Sequence, residues 1–279
     1  MSIDALPAGL GIGWRSEISG IISHLPGLAF CEVIAESIGD HAPERLTALG
    51  IPVVTHGIAL SLGGAEPVEP HRIAHLERVA SMLGSPIVSE HVAFVRADGI
   101  EAGHLLPVPR TREALTVLAR NITRTQDGLS VPLAVENIAA LFDWPDDELT
   151  ESEFLTELVE RTGVCLVLDI ANVHANARNR RRDPWIELTR LPLERIAYCH
   201  IAGGTVRDGF YHDTHTASVP EEVLELLRTF TAAGHRPPLM LERDGHYPPE
   251  HELFDELDAI SDSAGLTRIT PNRLLGRTT

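Results

Sequence analysis

The chain is poor in thiols, has no lysine and contains no long apolar run. Three cysteines, Cys31, Cys165 and Cys199, are scattered over 279 residues, each inside an apolar stretch. An odd, dispersed set builds neither a disulfide framework nor a thiolate-rich zinc site, and it fits a reducing compartment, the cytoplasm. No stretch approaches the roughly 18 consecutive apolar residues of a membrane-spanning helix. The opening MSIDALPAGLGIGW lacks the basic flank and apolar centre of a signal peptide. Positive charge is scarce: 23 basic residues, all arginine, stand against 40 acidic ones, a formal net charge of −17. A field of that sign repels phosphate backbones, which argues against nucleic acid as a partner, and it attracts cations and basic peptides.

What is present is ordinary in amount, with 43% hydrophobic and 23% charged residues, and regular in order. Short apolar runs read as strands at LGIGW (10–14), AFCEVIAE (29–36), IPVVTHG (51–57), SPIVSEH (85–91), VPLAVEN (131–137), CLVLD (165–169), RIAYCHIAG (195–203) and PPLMLERD (237–244). Helices are expected between them: near 15–25, over Pro43 to Leu49, along Ile73, Leu76, Val79, Ala80 and Leu83, over Thr111 to Thr125, over 150–163 with Gly163 as the stop, near 184–190, over Pro220 to Ala233, and over 250–261. The segments containing LLPVPRT (105–111) and following HIAGG (200–204) read as loops. Eight strand–helix units in about 250 residues are the grammar of a single (β/α)8 TIM barrel over 1–279, with a loose polar tail near 263–279. The competing doubly wound sheet is disfavoured because the first turn, GIGWRSE, carries no glycine fingerprint for a dinucleotide. No nucleotide cofactor site is expected.

The chemistry lies at the strand ends. The third strand ends in His56, the fourth in Glu90 and His91, the fifth in Glu136 and Asn137, the sixth in Asp169, the seventh in His200 and the eighth in Glu242. In a closed barrel these ends converge on one mouth. One strand-end histidine alone is ordinarily a hydrogen-bonded packing residue, and one carboxylate ordinarily a helix cap. Six consecutive strands ending this way are a different matter, because carboxylates buried together repel and a cation is the usual remedy. Imidazole with carboxylate suits iron, manganese or zinc, and bridging carboxylates let two or three ions share the mouth. Asp213 and His215 in the seventh loop would share a side if that segment is extended, and Asn172 and His174 after the sixth strand are further ligand types. His71 and His75 stand i, i+4 but read as a solvated helix face. His24, His41, His104, His235 and His251 fall away from the strand ends and take no role, and His246 near the mouth is a minor candidate. The Gly203–Gly204 pair fits a mobile loop as well as a phosphate cradle.

The motifs HGIALSLGG (56–64), SEHVAF (89–94), LLPVPRT (105–111), AVENI (134–138), LDIANVHANA (168–177), HIAGG (200–204), DTHT (213–216) and LERD (241–244) together resemble the multinuclear non-heme iron-dependent oxidative enzymes, the group of the MbnB and TglH types. The resemblance spans nearly the whole chain. It implies a TIM barrel with two or three irons of mixed Fe(II)/Fe(III) state. It further implies O2 as co-substrate and oxidation of a ribosomally made precursor peptide, most often at cysteine, with a separate leader-binding partner protein. By this resemblance His56, His91, Glu136, Asp169, His200 and Glu242 hold the core irons, and Asp213 and His215 help to hold a third. Some members carry histidine where this chain has Asn172, a weaker, neutral ligand, so the third position turns on Asn172 and His174. The rival readings are a divalent-metal isomerase or phosphoesterase on a xylose-isomerase-like barrel, which usually wants the lysine this chain lacks, and a non-catalytic metal or peptide carrier.

Overall fold

The computed structural model describes residues 6–271. Eight strands close into a parallel barrel: β1 (Leu10–Gly13), β2 (Cys31–Ile34), β3 (Val53–His56), β4 (Val88–His91), β7 (Leu133–Glu136), β8 (Cys165–Asp169), β9 (Ile196–Ile201) and β12 (Leu239–Leu241). The neighbours run β1-β12-β9-β8-β7-β4-β3-β2 and back to β1. Around them lie α1 (Ser19–Ile22), α2 (Glu44–Thr47), α3 (Pro70–Leu83), α4 (Arg112–Asp127), α5 (Glu151–Thr162), α6 (Ile170–Asn179), α7 (Pro184–Thr189), α8 (Glu221–Ala232) and α9 (Glu250–Ala264). Two antiparallel hairpins stand on the carboxyl face, β5 (Ala93–Ala97) with β6 (Ile100–Pro107), and β10 (Thr205–Arg207) with β11 (Phe210–His212). The TIM-barrel expectation holds.

The buried apolar residues form two clusters, and the period of two along a strand explains why. One joins the outward strand residues, such as Val53, Val135, Leu168 and Leu241, to helix residues such as Leu76, Leu115, Phe154 and Leu257. The other fills the barrel interior with Phe30, Val54, Ala134, Val167, Tyr198 and Met240. Two residues further along each of these strands stands a polar group: Glu32, His56, Glu136, Asp169, His200 and Glu242, all buried. The interior is therefore an apolar floor beneath a polar mouth. A register slip of one residue in any of these strands would turn the polar group out into the helix layer. On β1 the inward positions are glycines. A Cβ on Gly11 would lie 2.8 Å from Phe30, so Phe30 packs where that side chain would stand.

Local chemistry accounts for the elements. Thr150 and Glu153 form a capping box on α5, and Gly163 ends that helix with φ 66°. Thr111 caps α4 by accepting from the Ala114 N–H. The helix expected over 15–25 is a 3-10 turn (Ser16–Ile18) and the short α1, because Pro26 disfavours helical backbone at Leu25. Both segments read as loops contain hairpins instead, turned at Asp98–Gly99 (φ 49° and 73°) and Asp208–Gly209 (φ 52° and 82°). Two successive positive φ values are what a tight hairpin turn of this kind requires, and Asp-Gly supplies them. In the stretch expected to be loose, α9 continues to Ala264, Ile269 is buried against Gly27, and Thr270 hydrogen-bonds Asp258. Residues 272–279 of that stretch lie outside the described residues. Among the described residues no helix is long and apolar enough to cross a membrane.

Interior crowding at β1 generates a stability test. Gly11→Ala is expected to destabilise by about 1–3 kcal/mol, the usual cost of overpacking a dense core. Denaturant unfolding measures it; an unchanged midpoint would mean that Phe30 can withdraw.

Candidate metal centre

His56, His91, Glu136, Asp169, His200 and Glu242 bring their ligand atoms together in the mouth as overlapping sets. His56 Nε2 and His91 Nε2 lie 3.7 and 3.6 Å from Glu136 Oε2. Glu136 Oε1 lies 3.3 Å from His200 Nδ1, which also sits 3.0 Å from Glu242 Oε2. The groups fall into overlapping sets whose ligand atoms lie within 4.8 Å of one another: His56, His91 and Glu136; Glu136, Asp169, His200 and Glu242; Asp169, Asp213 and His215. Glu136 belongs to the first two and Asp169 to the last two. Further sets are Glu32, His56 and Glu242, and His215, Glu242 and Asp244 at the rim.

A hydrogen-bond network beneath the mouth fixes the imidazoles. His56 Nδ1 meets Ser89 Oγ at 2.8 Å, which turns its Nε2 to Glu136. His200 Nε2 meets Glu32 Oε2 at 3.0 Å, which turns its Nδ1 to Glu136 and Glu242. The buried Tyr198 hydroxyl donates its proton to Glu32 Oε2 and lies 2.8 Å from Ser89 Oγ, whose hydroxyl can donate to it, tying the two histidine supports together. Supports of this kind set ring orientation and raise ligand basicity. The strand-end reading passed over Glu32, because β2 runs on for two residues to Ile34. The inward parity that begins at Phe30 points to it.

The remaining candidates divide. Asp213 and His215 touch, Oδ2 to Nε2, and His215 Nε2 lies 4.0 Å from Asp169 Oδ2. They meet on a turn rather than in an extended segment, since His215 has φ 52°. Asn172 and His174 lie on α6, which the sequence reading did not anticipate; Asp169 caps it, its Oδ1 accepting the Asn172 N–H at 2.7 Å. Two residues along a helix turn by about 200°, so the pair cannot face one way. Asn172 Nδ2 donates to the Asn137 carbonyl, leaving Oδ1 buried without a partner, while His174 packs edge-on against Tyr211, outside the ligand sets. Glu90 accepts from the backbone N–H groups of Leu60 and His91, and Asn137 brackets the backbone of Asp169 from both sides, so both hold the frame. His104, which the sequence reading set aside, lines a cavity of about 480 Å³ over His56 and His91. His75 binds the Ala35 carbonyl and forms no chelate with His71 among the described residues. His246 joins no ligand set. Gly203 and Gly204 are close-packing positions: a Cβ on either would lie 2.3 or 2.2 Å from backbone oxygens of Ala217 and Ser218, or of His212. The three cysteines are buried and free.

Burial makes this cluster electrostatically tense. Burial first, then the Asp213 and Glu136 charges, pushes the Asp169 carboxyl well above the carboxylate range, and burial raises Asp213 too. Burial alone would lower His91, but Glu136 and Glu90 outweigh it and hold it at about 9. Burial likewise opposes charge on His200 and is overcome by Glu32, Glu136 and Glu242. Burial opposes charge on Glu242 and Glu136 as well, yet His215 and His200 hold Glu242, and His200 and His91 hold Glu136, below the ordinary carboxylate value. Several polar atoms nevertheless lack a hydrogen-bond partner of good geometry: Glu136 Oε2, Asp169 Oδ2, Asn172 Oδ1, His200 Nδ1, Asp213 Oδ1 and Glu242 Oε2. Desolvating each ion costs several kcal/mol, and protons shared with imidazoles offset it only in part. Convergent, unsatisfied N and O donors of this number suit divalent or trivalent cations.

Residues 9–264 match the sequence model of the RiPP precursor modification enzyme MbnB/TglH/ChrH. The chain belongs to this family. It is 51% identical over 263 residues to a UPF0276 protein of Streptomyces avermitilis, covering 90% of this chain and 54% of that one. It is 34% identical over 259 residues to a UPF0276 protein of Caulobacter vibrioides, covering 90% and 92%. The chain thus spans about half the length of the Streptomyces relative and nearly all of the Caulobacter one. In fold it is similar to endonuclease IV of Thermus thermophilus (TM-score 0.60, 18% identity, 93% of this chain and 99% of that one). It is also similar to a xylose isomerase domain protein of Planctomyces limnophilus (TM-score 0.58, 16% identity, 92% and 96%).

The shared carboxylates give this site a distinctive mutational response. Glu136→Gln should lower the metal bound per chain by more than Asp213→Asn, because Glu136 serves two ligand sets. Metal analysis of the purified variants decides, and equal losses would deny Glu136 a bridging place. Stripping metal from the native chain should lower Tm, since cations bound only by the folded state stabilise it.

Proposed function

We propose that the chain is a multinuclear iron, O2-dependent oxidase that modifies a ribosomally synthesised precursor peptide at cysteine. The family supports peptide modification. The observation that carries the rest is the run of ligand sets joined through Glu136 and Asp169, which suits ions held side by side. His56, His91 and Glu136 would hold one iron, with Glu136, Asp169, His200 and Glu242 around a second. Asp169, Asp213, His215 and the Asn172 Oδ1 would hold a third. Mixed-valent iron there would supply the one-electron chemistry with O2 and the thiolate-binding Lewis acidity that the protein's own side chains lack.

The protein's part is placement. The cavity above His56 and His91 has Ile34, Ile58, Val95 and Leu105 on its walls and His104 at its side. Those apolar walls would exclude water from a cysteine side chain reaching down to the His56–His91 set. Glu32, Tyr198 and Ser89 keep the imidazoles turned inward while substrate enters and leaves. A separate polypeptide that binds the leader would dock on the same face. Ile100, Leu141, Phe142, Val206 and Phe210 are exposed on loops and hairpins that follow barrel strands there, a supply of apolar contact that suits a partner surface. Reduced, buried cysteines suit a cytoplasmic setting.

The test pairs the iron-loaded chain, prepared without oxygen, with a cysteine-bearing precursor peptide encoded beside its gene. Admitting O2 should change the peptide mass, and a Cys→Ser peptide should remain unchanged. A peptide left intact in the presence of its leader-binding partner would refute the reading.

A further inference from the structure

β1 is the barrel strand with glycine at both inward positions, Gly11 and Gly13, and it brings no side chain of its own to the mouth. The space is used by the residue just beyond it. Arg15 folds back over the strand end, and a Cβ on Gly13 would lie only 3.2 Å from Arg15 Nη1. Its side chain is 10% exposed. Nε and Nη2 lie 3.0 and 2.5 Å from Asp244 Oδ1, Nη2 also lies 3.7 Å from Glu242 Oε1, and Nη1 donates to the Trp14 carbonyl at 3.0 Å. Asp244 uses its other oxygen, Oδ2, on His215 Nδ1 at 3.0 Å. His215 thereby turns Nε2 to Asp213 and Asp169. The line Arg15–Asp244–His215 ends in the third ligand set.

We infer that Arg15 is a positioning residue for that set: by clamping Asp244 onto His215 Nδ1, it fixes the ring whose Nε2 faces Asp169 and Asp213, and so sets how tightly the third cation is held. Three observations support it. The His215 backbone sits at φ 52°, a conformation a non-glycine residue keeps only when its surroundings impose it. His215 Nδ1 also stands 3.3 Å from Glu242 Oε2, so without Asp244 the ring has a competing partner belonging to the second set. And the rim group His215, Glu242 and Asp244 has the spacing of a cation site, yet the Arg15 guanidinium reaches both of its carboxylates. Arg15 thus supplies as a fixed side chain the positive charge that this rim group would otherwise draw from an ion. A lysine would not replace it, because a point charge cannot lie along Asp244 and reach Glu242 in one plane.

The inference rests on the multi-ion reading of the mouth, and the experiment separates the two. Fe(II) is titrated without oxygen into the metal-depleted full chain, native, Arg15→Gln, Asp244→Asn and the double variant. Equilibrium dialysis against a chelator of known affinity reads the dissociation constant of each ion, and a thermal melt of each loaded protein checks folding. Expected is a weakening of roughly 10- to 100-fold for the third ion alone in each single variant, the usual scale for removing a group that orients a ligand. The double variant should be no worse than the worse single, and Arg15→Lys should not rescue. Third-ion affinity unchanged in Arg15→Gln, effects that add in the double variant, or equal weakening of all ions would each overturn the role given to Arg15. A native chain that binds two ions and no third would overturn this inference and leave the multi-ion reading standing, and one that binds fewer than two would overturn both. A third ion held normally by the native chain but unaffected by the variants would overturn this inference only.

Discussion

The structure depends on one electrostatic constraint: Glu32, Glu136, Asp169 and Glu242 are buried together in the mouth of a barrel whose floor is apolar. Four carboxylates removed from water at such close range would not persist on packing grounds. Imidazoles from His56, His91 and His200 answer part of the charge, and unsatisfied oxygens on Glu136, Asp169 and Glu242 show that the answer is incomplete. The parity of the strands, the Tyr198 and Ser89 bonds under the histidines, and the arginine over β1 all serve to keep these groups facing one another.

Most of this was legible because a strand has a period of two. An apolar residue at position n and a ligand at n+2, as in Val54 and His56, Ala134 and Glu136, or Val167 and Asp169, needs no tertiary knowledge once the barrel is assumed. Where reading stopped at the last residue of each strand it missed Glu32, which sits two residues beyond Phe30 but before the end of β2. The two hairpins were visible as Asp98–Gly99 and Asp208–Gly209, each between residues able to pair, and were overlooked because the flanking strands are too exposed to look apolar. Asp244 was visible as the end of the LERD motif, but its pairing with Arg15 was not legible. Their roles depend on β1 and β12 being neighbours, a closure of the barrel that joins residues 229 apart.

The segment after β8 shows how a local rule reassigns residues. Asp169 both faces the mouth and caps α6, so the helix starts with no intervening loop. That leaves Asn172 with a buried, unpartnered oxygen and carries His174 round to Tyr211. Fold similarity adds nothing to the choice of chemistry here. Proteins described as an endonuclease and as a xylose isomerase domain protein share the barrel at 16–18% identity, and a barrel of this kind hosts many reactions. The chemistry belongs to the residues at the mouth.

The most direct test of the account is a crystal structure of the iron-loaded chain, with anomalous differences collected on both sides of the iron absorption edge. The account predicts two or three iron peaks in the mouth, one between His56, His91 and Glu136 and the next between Glu136, Asp169, His200 and Glu242, with the carboxylate of Glu136 shared. A single peak, or iron bound elsewhere while the mouth carboxylates stay paired with histidine, would contradict it.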